Sequence, residues 1–315
     1  MPVLNEAPHL ETAVAAVLTQ EYPHPFQVCL AIGPCNDGTE AIAVALEQRE
    51  PRVTVVPNPT GRTPAGLNAA LSASSGDVVV RVDGHAQLSP GYIRRAVATM
   101  ERTGAVNVGG VQRAEGVTPF ERAVAAAMTS RAGTGGARFH VGGHEGPVDT
   151  VYLGVFRRSA VESVGGFDER LTRNQDYELN IRLREAGGTV WFDPELWVSY
   201  RPRGTVRKLA SQYFQYGQWK RAVLRLHPDS LKLRQAAPVI ITVAVVGGCL
   251  GALWSPWLLA VPAGYFGAVA AAALLEGPRQ APRVAVALAT MHLSWGAGFL
   301  LARPGRMLTA MPGHG

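Results

Sequence analysis

The chain has 315 residues, of which 47% are apolar and 17% charged, and its net charge is +6. Such a length holds one large domain and an appendage, and an apolar excess concentrated after residue 235 argues against an ordinary soluble protein. Three scattered cysteines, Cys29, Cys35 and Cys249, are too few for a disulfide framework or a zinc cluster and favour a reducing compartment.

The chain opens on Met1-Pro2-Val3-Leu4-Asn5-Glu6, as if entered partway along a strand, and no secretory signal is visible. The expectation is a first strand cut short, or a start further upstream. Periodicity then predicts helices over 11–18, 39–49, 64–72 and 90–102. Strands are predicted over 26–32, 53–56, 78–82 and 105–111. Strands alternating with helices of this length imply right-handed βαβ units, a parallel sheet and a doubly wound nucleotide-binding type of α/β fold.

The most informative stretch is Arg81-Val82-Asp83-Gly84-His85, which follows a run of valines. It delivers a carboxylate and an imidazole to the carboxyl end of a strand, where open α/β sheets bind ligands. Such a pair can hold a divalent cation, and the cation a diphosphate. By itself the stretch also reads as a strand-ending turn with a solvated histidine. Two other loops reach the same edge: the one entered by Asn5-Glu6, and Gly33-Pro34-Cys35-Asn36-Asp37-Gly38-Thr39. Both offer polar groups and backbone N–H donors to a nucleotide. Arg62 adds a planar guanidinium suited to phosphate, with Asn68 a turn and a half later.

Residues 130–147 are glycine-rich and contain His140 and His144. A loop of that length inside a domain is functional or disordered, and a mobile lid is the expectation. Further on, Gly165-Gly166-Phe167-Asp168-Glu169 is a tight turn, and Asn174-Gln175-Asp176-Tyr177-Glu178 opens a helix. An acid there is ordinary helix capping, or a general base within reach of an acceptor hydroxyl. Glu178 and Arg182 are spaced for a supporting ion pair. Gln215-Tyr216-Gly217-Gln218-Trp219-Lys220-Arg221 follows just before the apolar region.

Between residues 201 and 234 nine basic residues face a single acid, Asp229. Lying next to an apolar segment, this cluster suits anionic lipid headgroups at roughly 1 kcal/mol per basic residue, and not nucleic acid. Residues 236–254, 257–275 and 284–302 carry no charge, and each is long enough to cross a bilayer. The basic cluster puts residues 1–234 in the cytoplasm, and Arg279 with Arg283 returns to the same side. Arg303 and Arg306 would end outside, against the rule, so the third segment either spans or lies tilted at the interface. His292, inside that segment, is expected to pair in a helix contact or to line a lipid path, with packing favoured.

Taken together, residues 1–230 resemble the A-type-fold glycosyltransferases of family 2, which use nucleotide-diphospho-sugars. The likeness rests on the Pro-x-x-Asn-Glu start, the Asp37-Gly38-Thr39 loop and the Asp-x-Asp-like Asp83-Gly84-His85. It rests also on the Gly-Gly-Phe-Asp-Glu turn, the Gln175-Asp176 pair and the Gln215-to-Trp219 close. Arg-Val-Asp-Gly-His-Ala and the apolar C-terminus are most similar to the succinoglycan-type membrane glucosyltransferases. The resemblance implies an inverting transfer from a nucleotide-sugar, UDP-linked by default, to a lipid-linked or polysaccharide acceptor. By it, Asp83 and His85 would bind Mn2+ or Mg2+ and Asp176 would be the base. Asn5, Glu6, Asp37, Arg62, Asn68 and Asp83 would line the donor pocket. Gln215, Gln218, Trp219 and Lys220 would close over the diphosphate and acceptor.

Four departures qualify the likeness. Ile32 and Gly33 stand where the family carries acids, Gln175 replaces the acid before the base, Gln218 replaces an arginine, and His85 replaces an aspartate. Lys220 or Arg221 would then supply the missing cation, and His85 would favour Mn2+ or bind no metal. The expected organisation is a cytoplasmic transferase domain over 1–234, about three membrane helices over 235–303, and a tail over 304–315. Two other readings stand beside it: a polyprenyl-phosphate sugar synthase, and a non-catalytic membrane scaffold that binds nucleotide-sugars.

Overall fold

The computed structural model describes residues 1–309. In chain order its elements are β1 (Pro2–Val3), α1 (Leu10–Leu18), β2 (Val28–Ile32), α2 (Thr39–Arg49), β3 (Val53–Pro57), α3 (Thr63–Ser72), β4 (Val78–Val80), β5 (Gln87–Leu88), α4 (Tyr92–Thr103) and β6 (Asn107–Ala114). There follow α5 (Pro119–Thr129), α6 (Arg131–Thr134), α7 (Arg138–Val141), β7 (Gly146–Pro147), β8 (Tyr152–Arg157), α8 (Arg158–Ser163), α9 (Gln175–Glu185) and β9 (Val190–Tyr200). The remainder is helical: α10 (Val206–Leu226), α11 (Leu233–Gly251), α12 (Ala260–Leu275), α13 (Ala281–Leu301) and α14 (Pro304–Thr309). The chain forms two compact units, Met1–Arg113 with Gly142–Tyr200, and Ala114–Val141 with the chain from Arg201 onward. The segments 114–141 and 201–234, grouped by sequence with the first domain, thus join the apolar helices.

In the first unit β1, β2 and β3 form a parallel sheet, with Val3 opposite Ile32 and Leu30 opposite Val55. β2 reads Val-Cys-Leu-Ala-Ile and is buried at every position, as a strand covered on both faces must be. α1 buries Leu10, Ala13, Val14 and Val17, a stripe spaced i, i+3, i+4, i+7.

The second sheet runs β4-β8-β6-β9-β5, with β7 also on β9. Here the expected parallel arrangement fails. β4 and β6 both pair antiparallel with β8, and β5 and β7 pair antiparallel with β9. β4 stops at Val80 and is half-buried, where a fully buried strand to Val82 was expected. Alternating strands and helices fix how segments are joined, but not which strand lies beside which. β8 returns from later in the chain to lie between β4 and β6. The fold is α/β with a mixed sheet. A cluster of Leu67, Leu71, Phe156, Phe167, Leu179 and Leu183 seats α3, α9 and the Gly165–Glu169 turn together.

In the second unit α5 starts on a capping box. Thr118 Oγ1 accepts from Glu121 N–H at 3.2 Å, and Glu121 Oε2 accepts from Thr118 N–H at 2.9 Å. Within the glycine-rich stretch expected to be a mobile lid, the short elements α6, α7 and β7 form. Three segments, Leu233–Gly251, Pro256–Leu275 and Ala281–Leu301, are long and apolar enough to cross a membrane. Each spans roughly 30 Å. His292 Nε2 contacts Ala132 O at 2.9 Å and its Nδ1 contacts Tyr265 Oη at 3.2 Å. Since a carbonyl only accepts, Nε2 carries the proton and Tyr265 donates to Nδ1. The packing reading of His292 is therefore what the fold displays.

α10 and α13 meet through glycine. A Cβ on Gly217 would lie 2.0 Å from Trp295 O, and one on Gly298 would lie 2.0 Å from Phe214 O. Beside this crossing Arg221 Nη1 donates to Phe299 O at 3.0 Å and to Leu300 O at 2.8 Å, covering the end of α13.

Candidate active site

The chain leaves β4 as Arg81-Val82-Asp83. Alternation along an extended backbone puts Arg81 and Asp83 on one side and buries Val82 on the other. Asp176 arrives from elsewhere in the chain, in the first turn of α9, whose N-cap Asn174 is left-handed at φ 62°. The Arg81 guanidinium, only 6% exposed, joins them. Its Nη2 donates to Asp83 Oδ1 at 3.0 Å, and its Nη1 is paired with Asp176 Oδ2. The two predicted carboxylates thus share one cation. Asp176 keeps 27% of its side-chain surface exposed, yet its Oδ1 is buried without a partner among the described residues.

Electrostatics separate the two acids. Burial works to raise both. At Asp83 the charges of Arg81 and then His85 outweigh burial, so its pKa falls below the usual range. At Asp176 burial outweighs Arg81, and the Asp83 charge adds to it, so its pKa lies above the usual range. Arg81 is raised despite its burial, by Asp176 and then Asp83. One carboxylate is thereby disposed to stay ionised and the other is made more basic, the division that acid–base work needs.

His85 Nδ1 lies 2.7 Å from Glu6 Oε1. Gly84 leaves room for this pair, since a Cβ there would lie 3.0 Å from Glu6 Cγ. Glu6 N–H in turn donates to Thr39 Oγ1 at 2.8 Å, tying the loop after β1 to the start of α2. Asn5, at φ 55°, accepts on Oδ1 from Asn36 N–H at 2.9 Å. Asp37 accepts from Ala7 N–H at 3.1 Å and from the Thr39 hydroxyl at 2.5 Å, and chiefly that hydroxyl holds its pKa low. Asn5 and Asp37 thus latch the loop after β1 to the loop before α2.

Arg62 and Asn68 meet the Gly165–Glu169 turn. Asn68 Nδ2 donates to Phe167 O and to Glu169 Oε1, both at 2.9 Å, and its Oδ1 accepts from Phe167 N–H at 2.9 Å. Arg62 Nη1 reaches Glu169 O at 3.5 Å. Arg182 pairs with Glu178 through both guanidinium and carboxylate edges at 2.7 Å, as their spacing predicts.

Gln215, Gln218 and Trp219 lie on α10 of the second unit. Lys220, expected to carry a cation to the diphosphate, is 2% exposed, and its ammonium donates to Ser230 O at 2.9 Å and to Ser230 Oγ at 3.2 Å. Arg221, the other candidate, covers the end of α13. Both cations are engaged because α10 must pack against its neighbours as well as present a face.

Sequence reasoning passed over Arg81 and Tyr152. Burial raises the Tyr152 phenol well above its usual pKa, with the Asp83 charge adding and a hydrogen bond to Gln112 opposing. The i, i+2 relation of Arg81 to Asp83 was the available signal. Of the two expected cation ligands, Asp83 has Oδ1 held by Arg81 and His85 has Nδ1 against Glu6, which leaves Asp83 Oδ2 and His85 Nε2 as the atoms that would face an ion. No cluster of three or more such ligands occurs among the described residues, so diphosphate oxygens would complete the shell.

A model of glycosyl transferase family 2 matches residues 1–165. The succinoglycan biosynthesis protein ExoA of Rhizobium meliloti (strain 1021) is 31% identical over 306 residues, covering 95% of this chain and 92% of that protein. The dolichyl N-acetyl-alpha-D-glucosaminyl phosphate 3-beta-D-2,3-diacetamido-2,3-dideoxy-beta-D-glucuronosyltransferase of Methanococcus voltae is 22% identical over 234 residues, 71% of this chain and 73% of that protein. Among solved structures, the mannosyltransferase PcManGT from Pyrobaculum calidifontis, in complex with GDP-Man and Mn2+, superposes with a TM-score of 0.61 at 20% identity. That match covers 95% of this chain and 84% of PcManGT, and it shows the fold. Motif order, mixed-sheet architecture and relatives along nearly the whole length agree that the chain belongs to glycosyl transferase family 2.

Proposed function

We propose that this glycosyltransferase moves a sugar, with inversion, from a nucleotide-diphospho-sugar to a lipid-linked or polysaccharide acceptor at the inner membrane face. The observation that carries this reading is the pairing of Asp83 and Asp176 on one buried guanidinium. The acceptor hydroxyl oxygen attacks the anomeric carbon and forms the new glycosidic bond. The bond from that carbon to the diphosphate breaks, and its electron pair leaves on the diphosphate oxygen. The acceptor proton passes to Asp176, whose raised pKa suits a general base. Asp83 and His85 would hold Mn2+ or Mg2+ on the donor diphosphate. When bound, that ion neutralises charge on the leaving group.

PcManGT, the relative solved with GDP-Man and Mn2+, supports a nucleotide-sugar donor and a divalent ion. UDP is the default nucleotide by family resemblance. The apolar helices and the basic run over 201–234 support a membrane-borne acceptor, with residues 1–234 in the cytoplasm. The test is sugar transfer by the detergent-purified protein with Mn2+. Asp83→Asn and Asp176→Asn are each expected to lower turnover by at least about 100-fold. Unchanged turnover in either variant removes that residue from the mechanism. Full activity of Asp176→Asn on a lipid phosphate alone would move the assignment to a polyprenyl-phosphate sugar synthase, where a phosphate oxygen attacks and needs no base. Donor binding with no turnover across a nucleotide-sugar panel would leave a binding scaffold.

A further inference from the structure

An arginine 6% exposed is costly unless every charge near it is matched. Arg81 is matched twice, by acids that the proposed transfer uses for different purposes. Its backbone N–H donates to Gly154 O at 3.1 Å, which fixes its place beside β8. Nη2 holds Asp83 Oδ1 and Nη1 holds Asp176 Oδ2. What remains is specific: Arg81 Nε and Asp176 Oδ1 are buried and lack a partner among the described residues. Without the guanidinium, the two carboxylates it holds would repel one another.

We propose that Arg81 is the positioning residue of the transfer site: its guanidinium, held to both acids, fixes Asp83 and Asp176 relative to one another. This rests on Asp176 being the base. The planar fork matters because two nitrogens a fixed distance apart serve two different acids. A lysine ammonium is a single point on a flexible stem and cannot set that separation. Arg81 itself exchanges no proton. It acts through Asp176 on the acceptor side and through Asp83 on the donor side.

The test compares kcat and donor KM, with Mn2+, for wild type, Arg81→Ala, Arg81→Lys, Asp176→Asn and the double variant Arg81→Ala/Asp176→Asn. Arg81→Ala is expected to lower kcat by about 100-fold, as a displaced catalytic group does, with donor KM changed only a few-fold. Millimolar guanidinium should restore part of that loss in Arg81→Ala and none in the double variant. In the Asp176→Asn background, removing Arg81 should cost little more, because the group it positions has lost its function. Arg81→Lys keeps the charge and should still lose kcat, and it carries the test if Arg81→Ala does not fold. Wild-type kcat in Arg81→Lys, or losses that multiply in the double variant, would overturn the proposal. If Asp176→Asn alone keeps wild-type turnover, the base assignment fails and this proposal falls with it, whereas multiplying losses defeat only the role of Arg81.

Discussion

His140 is half-buried among the glycines of 130–147, with Nδ1 sealed from solvent and unpaired among the described residues. Burial, with the nearby Arg234 charge adding to it, lowers its pKa to about 3 from the usual 6.5. Between those two values the unfolded chain takes a proton that the folded chain refuses. Stability from this site is therefore complete above pH 6.5 and is lost as pH falls toward 3, by at most about 1.4 kcal/mol per pH unit before solvent screening. His140→Phe keeps a ring of similar size and removes the proton. Thermal midpoints in detergent between pH 7 and 5 should fall less steeply in that variant, and parallel slopes would show that His140 is not the source. Residue by residue, the sequence disclosed the acids and the imidazole of the candidate site because each stands in a motif. It did not disclose what holds them. Arg81 meets Asp176 only after β8 inserts beside β4, and Asn68 finds its turn only through the fold.

Helices and strands of the first 110 residues were readable because each carries its own period, and their observed limits fall within two residues of the expected ones at nearly every end. β8 and β9 were not readable. Tyr-Leu-Gly-Val-Phe-Arg is broken by Gly154, and β9 contains Pro194 together with charged and aromatic residues. The missed strands are the ones that make the sheet mixed. Gly217 is a further case: read as part of a closing motif, it is also the point where α10 comes closest to α13. A side chain there must push the Trp295 carbonyl away, and overpacking of this kind costs about 1–3 kcal/mol. Gly217→Val should lower the thermal midpoint of the detergent-solubilised protein, and Gly298→Val should do the same from the opposite helix. Because both remove the same contact, the double variant should lose less than the sum of the two. Additive losses would mean that the two glycines do not report one crossing.

At the scale of the chain, the apolar helices raise a conflict over topology that labelling can decide. Three full crossings from a cytoplasmic start would leave Arg303 and Arg306 outside, against the rule that basic flanks stay in. α11 and α12 are neighbours in a hairpin. Gly248 abuts Pro262, and Trp254 and Trp257 stand 82% and 87% exposed at its tip, as anchors at the far interface would. α13 touches this hairpin, with Gly296 against Thr242 and His292 against Tyr265. Its second half packs on α10, which carries Arg207, Lys208, Arg221 and Arg225, and Arg221 covers its carbonyl end. A helix bound lengthwise to so basic a partner is better placed in the headgroup layer than in hydrocarbon, where each central charge costs about 2.5–3.5 kcal/mol or more. The expected topology is therefore a two-helix hairpin with α10 and α13 lying together at the cytoplasmic surface. Single cysteines at positions 257, 279 and 303, in a background lacking the native three, distinguish the cases with a membrane-impermeant maleimide. Positions 279 and 303 should label from the cytoplasmic side and position 257 from the other. Labelling of 303 from the same side as 257 would make α13 a full crossing and return the two terminal arginines to the outside.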